Sequence, residues 1–226
     1  MAGGWLALWL ALGLLLLPAA AVAQQVGKGS CVPENACAGN TGPIGTNACV
    51  GDFACQNNTG TVRNNACDGN SACRNNTGAI GNNACDGFFA CFFNEGAIGN
   101  AACIGNDACS SNTGARIGNA ACIGDFACLL NSGAIGNAAC IGNDACFLNS
   151  GTIGNGACDG FLACGGNSGA VGTNACRGNG ACNGNTGPIG NDACIGDFAC
   201  QGNSGTIGPG QCIGDGICRN NTADIP

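Results

Sequence analysis

The cysteines are the most regularly spaced residues of this chain, and their spacing limits the folds that the chain can adopt. The chain has 22 cysteines, which fall into pairs whose members are six residues apart. Successive pairs begin eighteen residues apart, with a single slip where Arg116 is inserted. The pairs are Cys31 and Cys37, Cys49 and Cys55, Cys67 and Cys73, Cys85 and Cys91, Cys103 and Cys109, Cys122 and Cys128, Cys140 and Cys146, Cys158 and Cys164, Cys176 and Cys182, Cys194 and Cys200, and Cys212 and Cys218. A short fixed period predicts a repeat array in which each repeat forms one coil stacked on the last.

Residues 1–23 have the pattern of a secretory signal peptide. An apolar run from Trp5 to Leu17 is followed by Ala21-Val22-Ala23, a small-residue cleavage pattern. A transmembrane anchor is the alternative, because the run approaches spanning length. We expect a secreted or extracellular protein with no membrane span after signal cleavage, in a compartment where dense cysteine is disulfide-bonded. The predicted domains are the signal peptide, a lead-in (24–30), the repeat array (31–222) and a tail (223–226).

Aligned on the cysteines, the repeats follow C-x-G-x-x-A-C-x-x-N-[ST]-G-x-[IV]-G-x-x-A. The position after the first cysteine accepts Asp68 and Arg177, so it faces water and alternation turns the cysteines inward. Alanine, glycine and one aliphatic column complete a thin core. That column is Ile44, Val62, Ile80, Ile98, Ile117, Ile135, Ile153, Val171, Ile189 and Ile207. We predict an all-β fold, a parallel β-solenoid (β-helix) of eleven 18-residue coils with one disulfide per coil and short strands between glycines.

Two families resemble this pattern. The segments Ile135–Cys140 and Ile141–Cys146 show a six-residue sub-period, which resembles the hexapeptide repeat of left-handed parallel β-helices. That resemblance implies triangular coils of three short strands. The C-x5-C staple within each repeat is similar to that of the beetle-type antifreeze solenoids. Their shorter repeats carry a T-C-T triplet, which is absent here, so the likeness covers the staple and not the ice-binding motif.

Two pairings of the cysteines fit the period. Each cysteine can bond its partner within the coil, or the same column of the next coil, since both distances suit a disulfide. Each column holds eleven cysteines, so pairing along a column leaves one thiol over in each. Pairing within coils, Cys31–Cys37 through Cys212–Cys218, uses all of them and is favoured.

Composition excludes several function classes. A net charge of −7 and a pI near 4.1 argue against nucleic acid and anionic membranes as partners. Histidine is absent, so a serine or cysteine nucleophile has no imidazole base, and the histidine of hexapeptide acyltransferases has no counterpart. C-x5-C is not a zinc spacing. We expect a protein that is not an enzyme, with no metal and no cofactor. Paired carboxylates (Asp68 with Asp86, Asp107 with Asp144) leave a carbohydrate-active enzyme as a distant alternative.

Two polar columns are adjacent in every repeat. The first is asparagine throughout: Asn40, Asn58, Asn76, Asn94, Asn112, Asn131, Asn149, Asn167, Asn185, Asn203 and Asn221. Asparagine suits a tight turn with left-handed backbone, and stacked asparagines can also bond along the stack. The next column is Thr or Ser except at Glu95. An ordered hydroxyl row could organise water, so its threonines form a candidate ice-binding face: Thr41, Thr59, Thr77, Thr113, Thr186 and Thr222.

Two surface features occupy the columns after the second cysteine. Three N-x-[ST] sequons, at Asn57, Asn75 and Asn220, share one column and are glycosylation candidates. In the middle repeats apolar residues take over the same columns. They form a candidate contact strip, which comprises Phe92, Phe93, Leu129, Leu130, Phe147 and Leu148. Shielding of backbone edges is the alternative role for these side chains.

The sequence thus predicts a secreted, non-enzymatic, rigid structural or binding module of the extracellular space or cell surface. Its partner is an unknown extracellular molecule or a second copy of the chain. The alternative is an ice-binding protein that uses the Asn-Thr/Ser face.

Overall fold

Backbone hydrogen bonds link residues about eighteen positions apart throughout residues 25–226, the part of the chain that the computed structural model describes. The N–H of Cys140 donates to the carbonyl of Ala157 (N to O, 2.9 Å), and the N–H of Ile153 donates to that of Ala134 (2.9 Å). Each coil therefore satisfies backbone groups of the next, and the chain forms a stack. We number the coils 1 to 11 from the first cysteine of each pair, so that coil 1 begins at Cys31. The predicted signal peptide lies outside the described residues.

The predicted all-β fold is wrong. No segment of residues 25–226 forms a strand, and the one helix found there is the 3-10 turn Glu34–Cys37. Contact of the β type is limited to isolated parallel bridges, such as those between Ile135 and Ile153 and between Ile123 and Ile141. The bridges do not extend into a sheet within the described part of the chain, so neither a β-solenoid nor the resemblance to left-handed β-helices is supported.

Left-handed backbone explains why strands do not form. In coil 6 four residues other than glycine have positive φ: Cys122 (56°), Phe126 (57°), Leu130 (58°) and Ala138 (51°). Equivalent positions in the other coils have similar values. Because left-handed backbone interrupts an extended run, the parallel contacts are limited to single bridged residues such as Ile123 and Ile135. The glycine-rich pattern therefore encodes successive turns joined by single bridges.

The interior follows the predicted columns and adds one more. The Ile/Val column, the alanines that precede most of the cysteines and most of the cysteines themselves are buried. The structure joins the two cysteines of each pair, with Cα atoms 5.3 to 5.9 Å apart, and none of the 22 is free. The chain is thus a disulfide-rich repeat protein. The asparagine column from Asn58 to Asn203 is also completely buried, and it fills the part of the core that no apolar side chain occupies.

The stack extends beyond residues 31–222. Val26 in the lead-in bridges Ile44, and Ile225 in the tail bridges Ile207. Within the described residues, no helix has the length and apolar character needed to cross a membrane.

Candidate functional site

The buried asparagines form a continuous hydrogen-bonded ladder. Asn131 shows the pattern: its Nδ2 donates to Oδ1 of Asn112 (2.9 Å) and to the carbonyl oxygen of Gly133 (2.7 Å), and its Oδ1 accepts from Nδ2 of Asn149 (2.9 Å). Every polar atom of this side chain is therefore satisfied, as a buried amide requires. Because these side chains are enclosed, the column is structural. The left-handed residue is the one before it, such as Asn57.

The hydroxyl column next to the ladder faces outward along the whole stack. All six predicted threonines are exposed: Thr41, Thr59, Thr77, Thr113, Thr186 and Thr222. The glycine that follows the hydroxyl residue is buried in most coils. A Cβ atom on Gly151 would overlap the carbonyl oxygen of Gly169 and lie 2.7 Å from Nδ2 of Asn167. Glycine is thus required because adjacent coils approach closely above the ladder. We call this side of the stack, with its Ser/Thr column, the hydroxyl face.

The inserted residue disturbs the hydroxyl face in coil 5. There Gly114 is exposed with φ of +78°, instead of being buried like its equivalents. Nδ2 of Asn112 bonds the carbonyl of Ala115, three residues ahead, at 3.1 Å. The extra residue is accommodated as a bulge that places Arg116 in solvent. Together with Glu95 in coil 4, this bulge divides the hydroxyl row into two sections.

The candidate contact strip lies on a different side of the coil. Phe93, Leu130 and Leu148 are about half exposed, at 51%, 48% and 49%. Their neighbours in sequence, Phe92, Leu129 and Phe147, are partly buried. In coil 4 four phenylalanines form one cluster, with ring centroids 4.1 Å apart for Phe88 and Phe89, 4.9 Å for Phe89 and Phe92, and 4.3 Å for Phe92 and Phe93. We call the side formed by these columns the aromatic face.

Backbone conformation makes the exposed strip residues unusual. Phe93, Leu130 and Leu148 have φ of 51°, 58° and 56°. Other coils place Gly or Asn at this position, as at Gly184 and Asn75, and coil 5 places Ser111 there. Left-handed backbone costs a residue with a Cβ atom roughly 1–2 kcal/mol, and half-exposed side chains recover only part of this by burial.

A second left-handed column carries a feature that the sequence analysis missed. Four residues after the first cysteine, every even-numbered coil has a large apolar residue: Phe53, Phe89, Phe126, Leu162 and Phe198. We call these the ribs. At the same position the odd-numbered coils from coil 3 onward have small or acidic residues: Ser71, Asp107, Asp144, Gly180 and Gly216. We call these the gaps. The detectable signal was a period of two repeats in the phenylalanines.

Packing between coils explains the alternation. A Cβ atom on Gly180 would lie 2.9 Å from Cδ1 and Cε1 of Phe198, so that ring leans back over the preceding coil. In coil 9 the gap residue must therefore be small. A cavity of about 170 Å³ opens here, and its walls are Phe161, Leu162, Asn179, Gly180, Asn183, Phe198 and Gln201. The aromatic face is thus ridged, and at coil 9 an apolar groove lies between the ribs of coils 8 and 10.

One family model matches the chain. It describes a domain of unknown function, DUF7640, and it matches residues 19–84, 75–155 and 138–226. The chain belongs to the DUF7640 family. No curated protein and no solved structure matches the chain. The three DUF7640 matches overlap at residues 75–84 and 138–155, which fits a cysteine-rich array whose coils are equivalent.

The sequons of this DUF7640 chain lie in the left-handed column of the strip. Asn57, Asn75 and Asn220 have φ of 55°, 56° and 53°. Asn57 and Asn220 are exposed, and Asn75 is partly buried beside Asn57, whose Nδ2 donates to its Oδ1 at 3.3 Å. The sequons occupy coils 2, 3 and 11, whereas the strip occupies coils 4, 6 and 7.

The paired carboxylates of the DUF7640 array lie at the surface, where Asp68 and Asp86 are exposed and Asp107 and Asp144 are partly buried. Burial, and then the charge of Asp68, raise the pKa of Asp86. Burial is also the main cause that raises the pKa of Asp107 and of Asp144, and the charge of Asp125 between them adds to both. A hydrogen bond from Ser110 opposes the shift at Asp107. None of these carboxyl groups lines the cavity above Gly180.

The disulfides of neighbouring coils in the DUF7640 array lie close together. The sulfur atoms of Cys67, Cys73 and Cys85 are within 4.8 Å of one another, as are those of Cys128, Cys140 and Cys146. Because every one of these sulfurs belongs to a disulfide, the clusters offer no thiolate ligands to a metal.

Proposed function

We propose that the chain is a secreted, non-enzymatic, rigid module of the extracellular space or cell surface, and that the aromatic face is its contact surface. The disulfide of every coil suits an oxidising compartment, and the pattern of residues 1–23 suits secretion. A sequence without histidine gives a serine or cysteine nucleophile no imidazole partner.

The observation that carries the proposal is the cost of the exposed strip. At the position of Phe93, Leu130 and Leu148 the other coils use Gly or Asn, which accept left-handed backbone readily, except for the small Ser111 in coil 5. Large apolar side chains there weaken the fold and enlarge the apolar surface. A contact with another molecule accounts for both, because binding would bury them.

The proposed glycans fit this arrangement. Asn57, Asn75 and Asn220 share the strip's column but lie in coils nearer the two ends of the stack. Glycans at these sites would leave the middle coils uncovered and keep the ends of the aromatic face hydrated.

The triple variant F93G/L130G/L148G tests the proposal. We expect its free energy of unfolding, measured in guanidinium, to be unchanged or raised by up to about 1 kcal/mol per site, because glycine relieves the left-handed strain. Self-association of the oxidised protein and binding of labelled protein to the surface of cells that secrete it should both fall.

The matched control is I123T/I141T/I195T, which removes three partly exposed apolar residues from another column. It should leave binding unchanged. A strip variant that is strongly destabilised, or that binds as well as the parent, contradicts the proposal.

A second candidate function is ice binding through the hydroxyl face. The favouring observation is that the hydroxyl column is exposed in every coil and stands beside a glycine column that keeps the coils closely packed. Hydroxyls would then repeat about every 4.8 Å along the stack. Glu95 and the bulge at Arg116 interrupt the row, which makes this the weaker candidate.

Thermal hysteresis of the oxidised protein tests ice binding. If the hydroxyl face binds ice, Thr77→Leu should lower the hysteresis, whereas F93G on the aromatic face should not. Absence of hysteresis in the parent, or equal loss in both variants, contradicts this function.

A further inference from the structure

The alternating ribs and gaps of the aromatic face are complementary to the same face of a second copy. Ribs and gaps alternate coil by coil, so successive ribs are about 10 Å apart, twice the spacing of neighbouring coils. A molecule that fills the gaps must carry side chains at the same period. A second copy of this chain has that period because its coils are the same. We propose that two copies pair side by side through their aromatic faces, with the ribs of each in the gaps of the other. This inference rests on the proposed contact function of that face.

Symmetry selects the orientation of the two copies. Most homodimers have a two-fold axis. An axis parallel to the stacks would place each rib opposite the identical rib. An axis perpendicular to the stacks and within the contact plane makes the copies antiparallel and keeps each column opposite its own column. Ribs then face gaps whenever the numbers of two facing coils add up to an odd number.

Volume selects the register. The largest projection is the four-phenylalanine cluster of coil 4, which includes Phe89 and Phe93. The cavity of about 170 Å³ lies at coil 9, where both Gly180 and Gly184 lack a side chain. If coil 4 faces coil 9, every pair of facing coils adds up to 13. All five ribs then meet gaps: coil 2 faces coil 11, coil 6 faces coil 7, coil 8 faces coil 5, and coil 10 faces coil 3.

This register also brings the strip against itself. The two-fold axis passes between coils 6 and 7, so Leu129 and Leu130 of one copy face Phe147 and Leu148 of the other, on both sides of the axis. The sequons lie toward the two ends of such a pair, since coils 2 and 3 face coils 11 and 10. The contact centre therefore brings the strip residues together, with Phe126 of each copy opposite Asp144 of the other, and the ends of the contact carry the sequons.

Exchanging a rib with its facing gap tests the proposal. Phe126 in coil 6 faces Asp144 of the other copy in coil 7. We expect the oxidised, full-length chain to be a dimer by sedimentation equilibrium. F126D and D144F should each weaken the dimer at least about tenfold, because one removes a rib and the other fills a gap. The double variant F126D/D144F should recover most of the affinity, because a rib again faces a gap.

The matched control is F126D/D107F. Asp107 in coil 5 faces the Leu162 rib in coil 8, so filling that gap sets two ribs against each other and should not restore pairing. Phe and Asp already occupy this left-handed column in other coils, so all these variants should keep the parent's unfolding midpoint. If an exchange variant does not fold, F89S, which places in coil 4 the residue that Ser71 supplies to the same column in coil 3, provides the test and should weaken the dimer at least about tenfold.

Several results would overturn the inference. They are a monomeric parent at millimolar concentration, rescue by D107F in place of D144F, or an F89S dimer of parental affinity. A monomeric parent that still binds cell surfaces through the strip would remove this inference and leave the proposed function standing. A dimeric parent whose strip variant F93G/L130G/L148G binds cell surfaces like the parent would contradict the proposed contact function and leave the inference of pairing standing.

Discussion

The hydroxyl face and the aromatic face are built by the same coils under different constraints. On the hydroxyl face glycine is required at position 151, because a Cβ atom on Gly151 would overlap the next coil. On the aromatic face Gly184 has nothing within 4 Å of the position a Cβ atom would occupy, and the same column elsewhere holds Leu130, Asn75 or Ser111. The repeat is therefore strict where coils pack closely and variable where they face open space.

The comparison separates two kinds of information in a repeat protein. Regular columns report packing, since each coil meets the same neighbour. Irregular columns are free to vary, so large apolar residues in a costly conformation there, such as Leu148, point to contact with another molecule. In this chain the variable face is thus the better guide to function.

The largest loss of stability is expected from a change in the asparagine ladder, which lies beneath the hydroxyl face. Asn131→Leu keeps the branched shape of the side chain but leaves Oδ1 of Asn112, Nδ2 of Asn149 and the carbonyl of Gly133 without their bond to Asn131. At about 1–3 kcal/mol for each buried unsatisfied group, the free energy of unfolding should fall by on the order of 3 kcal/mol or more. Guanidinium unfolding of the oxidised protein measures it.

The control for the ladder is Asn137→Ala in the same coil. Its Oδ1 accepts the N–H of Asn119 (2.8 Å) at the exposed surface, so the loss should stay near 1 kcal/mol. Equal losses in the two variants would contradict the separation between buried and surface ladders.

An intermediate effect should come from adding one methyl group to each face. Gly151→Ala forces adjacent coils apart and should destabilise the fold by about 1–3 kcal/mol. Gly184→Ala meets open space and carries only the left-handed cost, about 1 kcal/mol. Thermal unfolding under oxidising conditions should rank the variants in this order, and the reverse order would contradict the assignment of the tightly packed face.

The smallest effect should appear in the pH dependence of stability that arises from two carboxyl groups of the aromatic face. Burial raises the pKa of Asp107 and Asp144 above the ordinary value near 3.8. The folded state therefore binds these protons more readily than the unfolded state, and the resulting stabilisation is lost as pH rises through the raised pKa. D107N/D144N should be slightly more stable than the parent at pH 7, with a smaller difference at acidic pH. Melting temperatures from pH 3 to pH 7 measure this.

Asp224 supplies the opposite sign as a control. A backbone hydrogen bond from Thr206 lowers its pKa, so its stabilisation is present above the ordinary value and is lost as pH falls through the lowered one. D224N should be slightly less stable than the parent at pH 7. A gain in stability for D224N, or a loss for D107N/D144N at pH 7, would contradict these assignments.

The sequence predicts composition and period better than backbone conformation. Cysteine spacing predicted the coil, and the aliphatic column predicted buried residues such as Ile135. The predicted strands were wrong because φ changes sign at residues such as Cys122 and Phe126, whose side chains give no warning of left-handed backbone. Turn preference marks Gly and Asn as left-handed residues but not Cys or Phe.

Adjacent identical residues can have different environments that the sequence does not distinguish. Asn57 and Asn58 differ completely in the structure, one exposed and left-handed, the other buried in the ladder. Only the stacking of one coil on the next separates them. The ribs could have been found in the sequence, because large residues such as Phe89 and Phe126 recur at every second coil. Aligning the repeats at a period of one coil hides a feature that recurs every two coils.

The hydrogen bonds of the asparagine ladder all point the same way. From Asn58 to Asn221, each Nδ2 donates to the Oδ1 of the asparagine in the preceding coil. Aligned amide dipoles add along such a chain and polarise one another. The N-terminal end of the ladder is thus the positive pole and the C-terminal end the negative pole. Two such molecules lying side by side attract when they run in opposite directions and repel when they run in the same direction.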